Sequence, residues 1–293
     1  VGFLQFFLEF LNNTNDAYGY TIQNEVRTIC VAGLNAVVVA LMFLTDNITL
    51  GNIFILNALI IIISIVLGHS VLRINRVNVY ERLNLKKQEI YDSVVEFYTY
   101  SNPLVINGIV TFVAIMLDRW LLQRFHGSTE QGYYTLALQI SAAIMLFSNS
   151  MSSLLLREMS QKTKDSKQNN ELKELFLKYN SIFYFIAAFF SVFISLNSEF
   201  IARAIGGDGF EGATYAVAVL ALYPIHHAYS MSVANLLLAT QGPKVLRNVA
   251  LLTLLPGMLL SFFIMMPEGS GGLNYGALGV AVKTVFVQFV AVT

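Results

Sequence analysis

The chain alternates long apolar runs with short polar connections, and this pattern predicts its helices. A helix needs roughly 20 mostly apolar residues to cross a bilayer. Runs of that kind predict eight membrane spans, near residues 29–45, 51–70, 104–123, 133–156, 179–198, 213–238, 248–266 and 276–293. Residues 1–11 have the character of the tail of another span. The pattern therefore predicts an all-α integral membrane protein built as a polytopic helical bundle.

The basic residues fall almost entirely on alternate connections. Fourteen of the 18 Lys and Arg residues lie in the connections 12–28, 71–98, 157–178 and 239–247. The connections on the other side hold only Arg124 and Arg203. Because basic residues accumulate on the cytoplasmic side of membrane proteins, the four basic connections are predicted to be cytoplasmic. We expect an interfacial helix within 73–102 and a short surface helix within 157–178.

Composition supports the membrane class and excludes several kinds of chemistry. Of the 293 residues, 56% are hydrophobic and 12% are charged, whereas soluble domains carry about 25% charged residues. A single cysteine, Cys30, excludes an intrachain disulfide framework. The sequence contains no phosphate-binding glycine loop, zinc-protease motif or cysteine pair. We therefore expect no catalytic residue, no metal, no cofactor and no nucleic-acid partner.

Polar side chains inside the apolar runs indicate where a transport cavity would lie, because such residues usually face a cavity or a partner. Asn107 and Asp118 share one face of their span, and Arg119 lies at its edge. Further candidates lie on other spans, at Gln139, His226 and Lys283.

Each candidate also has a structural alternative. Helix packing would explain the polar stripes that carry Gln139 and His226. An interfacial position would explain Asp118 and Arg119, which are too poorly oriented as neighbours to pair with each other. Lys283 has no acidic residue on its own span, so it either faces a cavity or reaches towards the outer surface.

Two prolines, Pro224 and Pro256, lie within predicted spans. Proline removes a backbone hydrogen bond and kinks a helix. Kinked helices around a polar cavity are common in transporters that alternate between two open states, although kinks are not specific to transport.

Four stretches resemble one transporter family. They are "DRWLLQRFHGSTEQGYYTLALQISAAIMLFSNSMSSLLLREMSQ", "NSEFIARAIGGDGFEGATYAVAVLALYPI", "LLATQGPKVLRN" and "GLNYGALGVAVKTV". In this order they resemble helices seven to twelve of the polysaccharide transporter (Wzx-type) branch of the multidrug/oligosaccharidyl-lipid/polysaccharide flippase superfamily. The chain departs from the family at "LLLREMS", where many members carry a proline after helix eight.

The resemblance implies a fold of 12 or more helices in two bundles. The chain starts with Val1 and ends within an apolar run, so we expect a fragment from late helix four through most of helix twelve. Residues 1–72 would then end the N-terminal bundle, 73–102 would form a cytoplasmic linker, and 103–293 would form the truncated C-terminal bundle.

The resemblance also implies a function. A Wzx-type flippase moves an undecaprenyl-diphosphate-linked oligosaccharide across the bacterial cytoplasmic membrane by alternating access, without covalent chemistry. Arg119 and Lys283 would then contact the diphosphate, and Asp118 would orient Arg119 or respond to a coupling cation. The candidates for contacts with sugar hydroxyls are Asn107, Gln139 and His226. Polysaccharide assembly proteins are a further candidate class of partner.

Two competing functions stay open at the level of sequence. A drug or cation antiporter would share the fold, but it would favour acidic cavity residues, whereas the buried charges here are two bases and one acid. A membrane-embedded polysaccharide polymerase or ligase would normally need a larger outer loop or a dense set of carboxylates. The outer connections of this chain are short, which counts against such an enzyme.

Overall fold

The computed structural model describes residues 2–45, 49–74, 87–163 and 169–292. The chain divides into two compact units, residues 1–86 and 87–293. Part of the predicted linker, residues 75–86, and part of a predicted cytoplasmic connection, residues 164–168, lie outside the described residues. The predicted division into 1–72, 73–102 and 103–293 stays a prediction.

The described part of the first unit forms three helices that pack on one another. They are α1 (Gly2–Ala17), α2 (Thr21–Leu44) and α3 (Leu50–Ile74). Since α2 and α3 each exceed 20 residues and are strongly apolar, both are long enough to span a bilayer. The predicted connection 12–28 is wrong in extent, because helix covers it apart from a short turn near Gly19.

The second unit begins with α4 (Lys87–Thr163), 77 residues of helix that break at Gly127. A straight helix of that length would be several times longer than the bilayer is thick. Gly127 has φ 82° and ψ −176°, a backbone conformation that side-chain-bearing residues rarely adopt. The break therefore divides α4 into a first arm, residues 87–126, and a second arm, residues 128–163.

Hydrogen bonds show that the two arms form a hairpin. The Tyr100 hydroxyl on the first arm donates to the carbonyl of Leu238, at 3.2 Å. The Thr163 hydroxyl, at the end of the second arm, donates to the carbonyl of Ala239, at 3.3 Å. Because Leu238 and Ala239 are neighbours, Tyr100 and Thr163 lie close to the same place, so the second arm turns back along the first and both residues lie far from Gly127.

The remaining helices pack around this hairpin. They are α5 (Asn169–Leu196), α6 (Ser198–Gly206), α7 (Thr214–Leu220), α8 (Tyr223–Ala239), α9 (Pro243–Met265) and α10 (Ala277–Val292), with short 3₁₀ turns at Asp208–Ala213 and Glu268–Ser270. One apolar core lies nearer Gly127, around Leu121, Ala137 and Val280. A second core, around Leu155 and Phe183, lies nearer the opposite end.

These helices confirm the predicted all-α membrane fold. Within the described ranges, five helices are long and apolar enough to cross a membrane, or six if the bent pair formed by α7 and α8 counts as one span. Seven of the eight predicted spans lie mainly on one helix or arm each, whereas the predicted span 213–238 extends over both α7 and α8. The apolar helix α10 has 16 described residues and runs to the last described residue, Val292.

In the described residues of 73–102 and 157–178, the expected surface helices are not separate elements. The helix predicted in 73–102 is, in its described part from Lys87, continuous with the first arm of α4. The helix predicted in 157–178 is instead the end of α4 and the beginning of α5. Apolar periodicity marks the part of a helix that can lie in a bilayer, and polar turns extend these helices beyond it.

Candidate functional site

A buried ion pair joins α4 to α10. The Lys283 ammonium donates to Asp118 Oδ2, and the two residues are only 7% and 6% exposed. The Ser261 hydroxyl of α9 donates to Asp118 Oδ1, at 2.5 Å. Each carboxylate oxygen of Asp118 therefore has a donor, and a charge that would be costly alone in an apolar interior is compensated. We call Asp118, Ser261 and Lys283 the charge triad.

Contacts near Gly127 fix the position of α10 relative to the hairpin. The Ala277 N–H, in the first turn of α10, donates to Glu130 Oε2 on the second arm, at 2.7 Å. A side chain at position 276 would collide with this carboxylate, because a Cβ on Gly276 would lie 2.3 Å from Glu130 Oε2. Further along α10, the hydroxyls of Thr284 and Tyr134 lie 3.3 Å apart. The second arm of α4 thus holds α10 in the register that places Lys283 beside Asp118 on the first arm.

Arg119 lies next to the triad but does not belong to it. Its side chain is partly buried, and its Nε has no hydrogen-bond partner. Across the described ranges, no ion pair involves Arg119, whereas Lys283 is paired. Of the two cations predicted to contact an anion, Arg119 is therefore the one whose charge is uncompensated in this structure.

The triad changes the interpretation of Asp118 and Lys283. Asp118 is buried in a helix interface and is not an exposed interfacial anchor. Lys283 neither reaches the outer surface nor faces open space, since its partner comes from another helix. Asp118 was also predicted to orient Arg119. In the described residues, no hydrogen bond joins these two side chains. Contact of either cation with a substrate stays a prediction.

The three residues predicted to contact sugars do not gather around the triad. Asn107 is partly buried on the first arm, about three helical turns from Asp118. Gln139 is exposed on the second arm. The His226 ring on α8 packs edge-on against Phe289 of α10, with ring centroids 5.2 Å apart. Of the six predicted residues, the structure joins Asp118 and Lys283 by a direct contact.

The neighbouring polar residues of α8 are used for packing. The Tyr223 hydroxyl lies 3.2 Å from His227 Nδ1, and the two rings stack. The Ser230 hydroxyl accepts a hydrogen bond from Gln288 Nε2 of α10, at 2.7 Å. Among the residues with coordinates, no group of three or more His, Cys, Asp or Glu side chains could hold a metal ion. Ser230 of α8 therefore contacts α10, whereas Tyr223 and His227 contact each other within α8.

Ser141 is a residue whose role sequence reasoning missed. Pro224, at the start of α8, has no N–H and cannot donate to the carbonyl of Leu220, four residues earlier. The Ser141 hydroxyl, from the second arm of α4, lies 2.9 Å from that carbonyl and 2.9 Å from the Ala137 carbonyl. In a membrane interior such a carbonyl must find a partner within the protein. The proline was visible in the sequence, but the donor on another helix was not.

Arg27 is a second missed residue, and it lies in the first unit. It was assigned only to a basic connection, yet it is 7% exposed. Its guanidinium donates to the carbonyl of Ser64 and to Asn24 Oδ1, both at 2.8 Å. The Asn24 amide in turn donates to Asp16 Oδ1, at 3.4 Å. Gly68 leaves room for this arrangement, since a Cβ there would lie 2.4 Å from Arg27 Nη1.

Comparison with known proteins identified one relative whose name describes a flippase. The chain is similar to the "Probable low-salt glycan biosynthesis flippase Agl15" of Haloferax volcanii, with 23% identity over 199 residues. The match covers 68% of this chain and 40% of the relative, so the chain spans less than half of that protein. No family model and no solved structure matches the chain.

Proposed function

We propose that this chain is part of a flippase that moves a lipid-linked oligosaccharide across a membrane by alternating access. The observation that carries the proposal is the similarity over 199 residues to a glycan-biosynthesis flippase. The long apolar helices agree with it, because the cargo must cross a bilayer. Membership of the Wzx-type branch, an undecaprenyl-diphosphate carrier and a bacterial cytoplasmic membrane belong to the same proposal, and they rest on the sequence motifs.

The physical task of such a protein is to shield polar groups from hydrocarbon. A diphosphate and a row of sugar hydroxyls each lose hydration in a bilayer core about 30 Å thick. A protein lowers that cost by offering hydrogen bonds and opposite charge along the path. The task needs no bond to be broken or formed, so a polar path through the helices is sufficient.

The charges around the triad suit an anionic cargo. Arg119 carries a charge that has no ion-pair partner in the described structure, and arginine binds phosphate through several strong, charge-assisted hydrogen bonds. We propose that Arg119 makes the first contact with the diphosphate. Lys283 would then exchange Asp118 for the diphosphate, and Asp118 would compensate Lys283 again once the cargo has left.

The sugar contacts in this proposal are Asn107, Gln139 and His226. Asn107 and Gln139 offer amide donors and acceptors on the two arms of α4. The His226 ring, held edge-on by Phe289, offers a nitrogen atom to a hydroxyl. Because these side chains lie apart from the triad, they fit an extended glycan better than a compact ligand.

Charge substitutions in the host test this assignment. We expect Arg119→Gln to reduce the amount of surface polysaccharide severalfold, because the protein loses its first contact with the diphosphate. Arg203→Gln is the matched control, since Arg203 is half exposed and already pairs with Glu211 at 2.7 Å. Surface polysaccharide is measured at equal protein abundance, determined by immunoblot of membranes.

Two results separate the alternatives. Normal surface polysaccharide in the Arg119→Gln variant, at normal abundance, would refute the anion-contact role. Equal losses in the Arg119→Gln and Arg203→Gln variants would show a general effect of surface charge, and the assignment to Arg119 would be abandoned.

A further inference from the structure

A cleft of about 770 Å³, lined by both apolar and polar groups, lies where the first arm of α4 passes the turn between α8 and α9. Its size is within the range of about 300–1,000 Å³ that is typical of small-molecule sites. It lies at the end of the second unit that is predicted to be cytoplasmic. Its main polar and aromatic residues are Ser93, Glu96, Phe97, Tyr100, Gln241 and Lys244. We call it the inner cleft.

One wall of the inner cleft is a single face of the first arm. Ser93, Glu96, Phe97 and Tyr100 have the spacing i, i+3, i+4 and i+7, which places them on the same side of a helix. The Phe97 ring is 71% exposed, so its face is accessible. The Tyr100 ring is held in place because its hydroxyl donates to the carbonyl of Leu238.

The other wall is a tight helix end with an unusual residue at its turn. The N–H of Gly242 donates to the Leu237 carbonyl at 2.7 Å, and the N–H of Gln241 donates to the Leu238 carbonyl at 3.3 Å. This pair of bonds is the Schellman motif, whose turn residue is left-handed and usually glycine. Here the turn residue is Gln241, with φ 58°. A glutamine in the left-handed conformation makes the fold less stable than a glycine would. Its presence at this turn therefore suggests that the glutamine side chain has a function.

The charges of the cleft indicate the class of ligand. The formal charges of Glu96 and Lys244 sum to zero, so the lining of the cleft has no net positive charge to attract a phosphate. Hydroxyl and amide groups supply donors and acceptors, and the accessible aromatic ring suits the apolar face of a sugar. We propose that the inner cleft binds a sugar unit of the lipid-linked oligosaccharide on the cytoplasmic side, before transport. This inference rests on the proposed flippase function, and it adds a site that binds the glycan before transport begins.

Photo-crosslinking tests the cleft directly. Phe97 is replaced by p-benzoylphenylalanine, and membranes are incubated with radiolabelled lipid-linked oligosaccharide isolated from the host. The control carries the same replacement at Val95, which is 44% exposed on the other side of the helix. We expect position 97 to crosslink to the labelled glycolipid at least fivefold more than position 95, and we expect the free oligosaccharide to compete.

A transport assay complements the crosslinking. Glycine adopts the left-handed conformation easily, so Gln241→Gly removes the amide and preserves the turn. In proteoliposomes we expect this variant to raise KM for lipid-linked oligosaccharide about five- to tenfold, the effect of one or two lost hydrogen bonds, with kcat unchanged. Thr240→Ala, a change outside the cleft lining, is the control and should leave KM unchanged.

The outcomes are distinguishable from failure of the function itself. If the unmodified protein moves no lipid-linked oligosaccharide, the proposed function fails. If it moves the cargo but Gln241→Gly leaves KM unchanged, the cleft proposal alone fails. Crosslinking at position 97 to phospholipid only, without competition by the oligosaccharide, would show a lipid head-group site and would also overturn the proposal.

Discussion

The charge triad makes a quantitative prediction about the stability of the second unit. Asp118 and Lys283 are both more than nine-tenths buried, and they come from helices far apart in the sequence. Removing one partner of such a pair leaves a buried charge uncompensated, which costs about 3–5 kcal/mol in free energy of unfolding. Removing both charges together avoids this cost. The double variant is therefore expected to be more stable than either single variant.

A double-mutant cycle measures this coupling. Asp118→Asn, Lys283→Met and the double variant are unfolded by SDS titration in mixed micelles, and the free energy of unfolding is compared with that of the unmodified protein. We expect each single variant to lose about 3–5 kcal/mol and the double variant to lie within about 2 kcal/mol of the unmodified protein. The difference is the coupling between the two charges.

An exposed pair in the same unit provides the control. Lys162 and Glu171 lie 2.7 Å apart, but their side chains are 30% and 54% exposed. The same cycle with Lys162→Met and Glu171→Gln should give a coupling of at most about 1 kcal/mol. If the losses of Asp118→Asn and Lys283→Met simply add in the double variant, the two charges do not interact, and the account of the triad is wrong.

Two further predictions concern buried polar contacts and use the same titration. Ser141→Ala should lose about 1–3 kcal/mol, because the carbonyl freed by the proline loses its donor; Ser150→Ala, at an exposed position, should change stability by less than about 0.5 kcal/mol. Gly68→Ala should lose about 1–3 kcal/mol, since its Cβ would displace the buried Arg27 guanidinium. Gly33→Ala meets no neighbour and should be neutral or slightly stabilising. Equal losses within either matched pair would contradict these explanations.

The sequence predicted the membrane fold because long apolar runs are a local signal. Seven predicted spans lie mainly on one helix or one arm of α4, and the eighth, 213–238, extends over α7 and α8. The break at Gly127 falls within the predicted connection between two spans. The lengths of the helices were less predictable. Polar turns at Lys87 and Thr163 belong to α4, and hydropathy cannot separate an exposed helical turn from a loop.

The site was less predictable than the fold because its contacts join distant parts of the chain. Periodicity placed Asp118 on a polar face, but it could not show that Lys283, 165 residues away, supplies its partner. Ser261 carried no signal, since a serine in an apolar helix is ordinarily a packing residue. The burial of Arg27 was not predictable for a related reason, because one of its acceptors, the Ser64 carbonyl, lies on another helix.

The measurement that tests the central claim most directly is the location of lipid-linked oligosaccharide when the protein is depleted from its host. Inside-out and right-side-out membrane vesicles are treated with a glycosidase that cannot cross the membrane, and released sugar is quantified. A flippase predicts that the glycolipid accumulates on the cytoplasmic leaflet and is therefore released mainly from inside-out vesicles. Accumulation on the outer leaflet would indicate a polymerase or ligase, and unchanged glycolipid levels would indicate a transporter of another cargo; either result would contradict the account.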